Sequence, residues 1–293
     1  MANWVQLLVT GVTMGSVYSL IALGFVIIYR SYRIVNAAQG SFVMLGGLLT
    51  FSMLLGTGLP YWLSGTVGVV LVAALAVLMY LLVLKPILNV SLARTLLCTV
   101  ALSFLFENLA LAKYGDSGRA IPGFASETSF EVRGVYFSRQ AVWMVGILVI
   151  ILAGLYLFNN HTAMGKRMTA AAANPLAARL SGISVGRMVM LAFAISAGIG
   201  AVGGVTASSY VGGLSYTTGS LYGMNGFVAA VLGGWGSTSG AVVGGLALGI
   251  VQSLATRVVP AGYSNVVAFA ILLIVLYFRP RGLLGTDKRE GEV

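Results

Sequence analysis

The sequence predicts an all-α polytopic membrane protein, and three observations carry that prediction. Only 8% of the 293 residues are charged while 58% are apolar, and mean hydropathy is +0.96. A soluble domain hydrates its surface with about 25% charged residues, so a soluble enzyme and a disordered chain are excluded. Apolar runs of spanning length, roughly 17 to 25 residues, recur along the chain. The 17 Lys and Arg lie almost wholly between those runs, so the net charge of +10 marks membrane borders and lacks the hydrophilic body of a nucleic-acid binder.

The runs cover residues 5–29, 34–56, 62–84, 96–112, 142–158 and 188–210. A Gly-rich, broken stretch near 214–240 follows, with apolar pieces at 222–235 and 240–254, and a last run covers 263–278. Backbone groups in hydrocarbon must pair internally, and the alternating short strands of a membrane barrel are missing, so the runs are helices. The expectation is about eight membrane helices, bounded by seven and nine, in a single transmembrane domain over 1–293. The first run has no Lys or Arg ahead of it and exceeds a signal-peptide core, which makes it a retained helix.

Lys and Arg stay on the cytoplasmic side of bacterial membranes. That rule puts Arg30, Arg33, Lys85, Arg94, Lys166, Arg167, Arg179, Arg187, Arg279, Arg281, Lys288 and Arg289 inside, and the N-terminus outside. The uncharged turn at 57–61 then lies outside. So does the loop at 113–140, whose basic residues are offset by Asp116, Glu127 and Glu131. A cytoplasmic loop over 159–187 and a cytoplasmic tail over 279–293 follow. The piece at 222–235 rises only about 21 Å as a helix; it crosses with help from 214–221, or it forms a re-entrant pair with its neighbour.

Little in the chain can do covalent chemistry. Cys98 and His161 are each the single residue of their kind, which excludes an internal disulfide, a cysteine-based metal site and a histidine triad. Asp287, Glu290 and Glu292 sit in the tail. Glu107, beside Asn108, is the one acid inside an apolar run. It is either a substrate contact or relay group, or a carboxylate near its helix end that finds water or a local partner. No second buried acid or base is available to complete a proton relay.

Gly198-Ile-Gly200-Ala-Val-Gly203 matches a dinucleotide fingerprint by letter, but no strand precedes it and no acid follows about 20 residues on. Gly11 with Gly15, Gly200 with Gly204, and Gly240 with Gly244 instead have the small-xxx-small spacing of close helix contacts. Gly165-Lys166 continues as Arg167 without a phosphate-loop pattern, so any ATP and Mg are bound by another subunit. The expectation is no catalytic residue, no metal and no cofactor on this chain.

Two polar breaks interrupt the hydrocarbon pattern. One holds Asn36, Gln39 and Ser41; the other runs from Ser215 to Ser220 and on to Asn225. They lead into related phrases beginning at Gly40 and at Gly226. Paired breaks in two halves of a transporter mark a substrate path, which would take in Asn36, Gln39, Ser41, Asn225 and Glu107; the alternative is two ordinary surface loops. In the loop at 159–187 an Ala-rich body favours helix, Asn174-Pro175 is a cap and first turn, and Gly182 is a stop. A short helix over 175–181 results, suited to docking in a partner's groove.

The opening Gly11-Val-Thr-Met-Gly15, the element from Asn36 to Gly40, the loop from Met164-Gly-Lys-Arg167 to Leu180-Ser-Gly182-Ile, Ala229-Ala-Val-Leu-Gly-Gly-Trp-Gly-Ser237 and Arg279-Pro-Arg-Gly-Leu-Leu-Gly285 occur in an order and spacing that carry a resemblance. The chain resembles the permease subunits of bacterial ABC importers for branched-chain amino acids. The resemblance implies an inner-membrane importer working by alternating access, with two ATP-binding cassette subunits and an external solute-binding protein. It also implies a second related permease, as a heterodimer or homodimer. The coupling role falls on Ala171, Asn174, Pro175, Arg179, Leu180 and Gly182. Relatives often carry Asn-Phe-Ala-His-Gly-Glu where this chain has Asn36-Ala37-Ala38-Gln39-Gly40-Ser41, which makes the element smaller and uncharged. Urea or short amides are the alternative cargo. An ATP-independent channel is the rival class, and an intramembrane transferase would need clustered carboxylates or histidines.

Overall fold

A computed structural model describes residues 2–87, 91–119, 129–132, 135–260 and 263–285. Glu127 and the tail residues Asp287, Lys288, Arg289, Glu290 and Glu292, whose sides of the membrane were expected above, lie outside the described residues. The helices are α1 (Ala2–Tyr32), α2 (Gln39–Thr57) and α3 (Tyr61–Met79), which passes through a π-helical turn (Tyr80–Leu84) into α4 (Lys85–Ile87). Then come α5 (Leu92–Tyr114), α6 (Arg139–His161), α7 (Ala163–Ala173), α8 (Pro175–Leu180) and α9 (Val185–Val211). The chain closes with α10 (Thr218–Gly233), α11 (Thr238–Ala255) and α12 (Ser264–Phe278). Among the described residues 7 helices are long and apolar enough to cross a membrane, and Asn265–Phe278 is a shorter apolar helix. Among the described residues an antiparallel hairpin of β1 (Ser129–Val132) and β2 (Val135–Ser138) departs from the all-helical expectation. It lies in a loop outside the spans and is tied to α1 where Gln6 exchanges hydrogen bonds with the Tyr136 backbone at 3.0 and 2.8 Å.

Contacts sort the helix ends into two groups. Arg30 reaches Thr238, Tyr29 stacks near Trp235, Tyr80 Oη donates to Gly186 O, and Leu283 N donates to Leu232 O. That end carries Arg30, Arg33, Lys85, Arg94, Lys166, Arg167, Arg179, Arg187, Arg279 and Arg281. At the opposite end Ser52 meets Tyr114, Arg119 pairs with Leu214 through the backbone, and Ser253 donates to Leu7 O. The basic end and the mixed end are therefore physically distinct.

α1 is the axis of the bundle: 89% of its most apolar 18 residues are buried, against 17% of the corresponding stretch of α6. Glycines allow this. A Cβ on Gly11 would sit 2.6 Å from Ile250 Cα, and one on Gly15 2.8 Å from Leu246 Cα, while Gly245 and Gly249 of α11 face Ser19 and Gly15. Gly240 and Gly244, on another face of α11, approach Gly233 and Ala229 of α10; Gly204 of α9 faces Val43, and Gly200 faces Gln39. Helices in lipid gain little from burying apolar area against each other, so close backbone packing of this kind carries their association.

Two helices start inside the bundle. The sequence run at 34–56 becomes helical only at Gln39, because Arg33 takes φ 56 and residues 34–36 are non-helical. The same six-residue interruption separates α9 from α10. α1 descends to the basic end and α2 leaves from the interior toward the mixed end; α9 and α10 repeat this upside down. α10 thus continues across to the basic end, by way of the interruption at 212–217, and α11 returns.

Candidate functional site

The interior starts of α2 and α10 meet. A Cβ on Gly40 would fall on the Gly219 carbonyl oxygen and 2.8 Å from Gly223 Cα; one on Gly223 would lie 2.9 Å from Gly40 Cα. The related pair is therefore Gly40-Ser41 with Gly219-Ser220. The phrase beginning at Gly226 lies about two turns further along α10, where Gly226 packs on Ile21.

Beside this contact lies a cavity of about 520 Å³, inside the roughly 300–1,000 Å³ range of ligand pockets. Phe25, Val35, Leu96, Val100, Phe104, Met224 and Phe227 give it an apolar wall, and Ser103, Gly219 and Ser220 contribute polar atoms. Its rim is open between α5 and α10, where Phe104 is 60% and Met224 51% exposed. Neither α2 nor α10 has a side-chain cap. First-turn N–H groups have no partner within their own helix, so Gly219 and Ser220 bring the positive end of the α10 dipole to the cavity.

The polar residues expected on the path stand one layer behind this wall. Ser41 Oγ is 3.0 Å from Ser103 Oγ, and Glu107 accepts a hydrogen bond from Ser220 Oγ. Ser103 and Glu107 are four residues apart and share a face of α5. Asn36 is wholly buried between the lining residues Val35 and Ala37; its Oδ1 accepts from Ala38 N at 3.2 Å and its Nδ2 has no partner among the described residues. Gln39 is also wholly buried. Its Nε2 donates to Ser196 O at 3.1 Å, and the Ser196 hydroxyl lies 2.7 Å from Gln39 Oε1 and 2.8 Å from Gly24 O. Asn225 Oδ1 accepts from Gln252 Nε2 at 3.0 Å. None of the five lines the cavity: Gln39 and Asn225 are buried amides that neighbouring helices satisfy, Ser41 and Glu107 pair with Ser103 and Ser220, and Asn36 is buried behind Val35 and Ala37 with its Nδ2 unpaired among the described residues. Of the polar residues that line the cavity directly, Ser220 belongs to the second polar break and Ser103 has no sequence signal beyond its spacing from Glu107 on α5.

At the basic end α8 is a capped, outward-facing helix. Asn174 Oδ1 accepts from Leu176 N at 3.1 Å and Ala177 N at 3.0 Å, with Pro175 in the first turn. Gly182, at φ 77, ends it. Ala178 faces inward, as does Ala171 of α7, while Leu176 is 69% and Leu180 83% exposed, with Arg179 exposed between them. The loop that connects α6 to α9 is more helical than expected, because Thr162 caps a separate α7 by accepting from Gly165 N at 3.0 Å.

Residues 7–276 match the family described as "Branched-chain amino acid transport system / permease component". The permease protein LivH of a high-affinity branched-chain amino acid transport system in Escherichia coli (strain K12) is 31% identical over 98% of this chain and 97% of its own. BraD of Pseudomonas aeruginosa, named for the same kind of system, is 30% identical over 98% of each. The solved structure of PsaBC from Streptococcus pneumoniae in complex with Fab superposes with TM-score 0.54 at 17% identity, covering 96% of this chain and 93% of that one, a likeness of fold alone. A polytopic helical bundle with two inverted broken helices, matched over nearly its full length, leaves one assignment: this chain belongs to the family of branched-chain amino acid transport permease components.

Proposed function

We propose that this chain is the translocation subunit of an ATP-driven importer of branched-chain and related hydrophobic amino acids, oriented with its basic end in the cytoplasm. The observation that carries the reading is the cavity at the meeting of α2 and α10, which has an apolar wall and two polar poles. The α10 N-terminus suits a carboxylate. The hydroxyls of Ser103 and Ser220 on the wall, with the Glu107 carboxylate accepting from Ser220 behind them, suit an ammonium group. Phe25, Val100, Phe104 and Phe227 suit a branched aliphatic side chain. The open rim between α5 and α10 fits closure by a second, related permease. α8, with Leu176 and Leu180 outward, fits a groove on one of two ATPase subunits, which would hold ATP and Mg. An external solute-binding protein would deliver the cargo. The poverty of titratable groups along the path supports an outside energy source over proton coupling.

The test is uptake in proteoliposomes holding the assembled importer and its binding protein. Isoleucine should accumulate only with ATP inside the ATPase compartment, and Val100→Trp, which fills the cavity, should abolish uptake while leaving the complex intact. Uptake of urea without isoleucine would move the assignment to short amides, uptake without ATP would move it to a channel, and full uptake by Val100→Trp would remove the cavity from the path.

A further inference from the structure

A second groove, of about 540 Å³, lies away from the path, between α6 and α11 with the end of α1 at its head. Its two parts differ sharply in chemistry. Leu152, Leu155, Tyr156, Val242 and Val243 form an apolar trough. Leu152, Leu155 and Tyr156 lead to Asn159 along one face of α6 at helical spacing, a rise of about 10 Å. Tyr156 is 63% and Val243 43% exposed, so the trough opens sideways where two membrane spans face hydrocarbon.

The head of the groove is polar and basic. Arg30, Asn159, Asn160, Thr169, Thr238 and Ser239 converge there. Arg30 Nη1 donates to Thr238 Oγ1 at 3.1 Å, which uses one of the five N–H donors of its guanidinium. Ser237 caps α11 by accepting from Gly240 N at 3.0 Å, which leaves the first-turn N–H groups of Thr238 and Ser239 without intrahelical partners. No carboxylate lines the groove. An unneutralised cation, two carboxamides and hydroxyls at the membrane border, set above an apolar trough, match the two ends of one kind of molecule.

We propose that this groove binds an anionic phospholipid of the leaflet at the basic end, its phosphate at Arg30, Asn159 and Thr238 and one acyl chain along α6 and α11. A soluble anion would use the head and leave the trough empty; a zwitterionic lipid would use the trough and gain less from Arg30. Basic pockets between spans on the cytoplasmic side take such headgroups. The inference rests on the orientation given above only for the name of the leaflet, since the groove itself is defined by α1, α6 and α11.

Native mass spectrometry of the assembled importer, released from nanodiscs containing equal phosphatidylglycerol and phosphatidylcholine, tests this without transport. The wild type should retain phosphatidylglycerol preferentially. Arg30→Gln should lower that retention about fivefold, Arg30→Lys should keep most of it, and Val243→Trp, which fills the trough from an exposed position, should remove it with the complex intact. Retention unchanged in both Arg30→Gln and Val243→Trp would overturn the proposal, as would displacement of the lipid by glycerol 3-phosphate, which has the headgroup phosphate and no acyl chain. Because retention does not depend on cargo, a failure here leaves the transport reading standing, and failed isoleucine uptake leaves this one standing.

Discussion

Replacing Gly40 with Ala tests the meeting of the broken helices most directly. The added methyl has two obstacles, the Gly219 carbonyl oxygen and, at 2.8 Å, Gly223 Cα. A normal carbon–carbon contact is ~3.5 Å, so relieving the Gly223 contact alone parts α2 and α10 by about 0.7 Å, and the nearer Gly219 oxygen demands more. Both obstacles are backbone, and neither can rotate away. Overpacking of this kind destabilises by about 1–3 kcal/mol, which lowers the melting temperature by roughly 2–5 °C for a chain of this size. Since the strain sits at the helix starts beside the cavity, uptake by the assembled importer should fall at least about fivefold. Gly146→Ala is the control: it is also a helical glycine, and a Cβ there meets nothing within 4 Å, so it should be neutral or up to ~1 kcal/mol stabilising. The assay is melting in nanodiscs together with uptake in proteoliposomes. Equal melting and equal uptake for the two variants would refute the claim that α2 and α10 touch at Gly40.

Three other outcomes are expected. Asn174→Ala removes the cap of a six-residue helix, a loss of about 1 kcal/mol; ATP hydrolysis should persist while uptake is lost, with Gly182→Val and Arg179→Glu behaving alike, and a normal ratio of uptake to hydrolysis in all three would dissociate α8 from coupling. Gln252→Leu strands Asn225 Oδ1 at a cost of about 1–3 kcal/mol, whereas the double variant Asn225→Leu/Gln252→Leu should recover much of the melting temperature; a strictly additive cycle would mean the 3.0 Å contact carries no coupling. Ser220→Ala should raise KM for isoleucine with little change in melting, because it removes the donor to Glu107 and a polar atom of the cavity wall; an unchanged KM would separate Glu107 from the cargo.

What was legible in the sequence was local. Asn174, Pro175 and Gly182 specify α8 because a cap, a first-turn proline and a left-handed stop act over three or four residues. Gly11 with Gly15 announces a close contact for the same reason, though it does not name α11 as the neighbour. The meeting of Gly40 with Gly219 depends on the threading of two distant helices, and the eye falls instead on the better-looking phrase at Gly226, about two turns away along α10. The amides of Gln39 and Asn225 were visible as polar anomalies, but their partners Ser196 and Gln252 lie on α9 and α11, so nothing near them in the chain tells a satisfied buried amide from a cargo ligand. Ser103 and Glu107 share a helix face that spacing alone predicts, yet only the arrival of Ser220 from α10 ties that face to the cavity wall.

The scarcity of charge and the inversion of the two halves bear on one mechanism. α2 and α10 begin in the interior and leave in opposite directions, so on the proposed function a tilt of one half against the other would open the cavity toward one end as it closed it toward the other. The surfaces that would slide, Gly40 on Gly219 and Gly223, and Gly15 on Leu246 and Gly249, are backbone against backbone. Such contacts have few side chains to re-sort and no ion pair to break. A bundle of this kind has small differences between its arrangements and no intrinsic force to choose one. On the proposed function the choice is imposed from outside, and α8 is placed to receive it: a capped, outward-facing helix whose stem, α7, packs on α1, α6 and α9, so that a push on Leu176 and Leu180 would reach both halves at once.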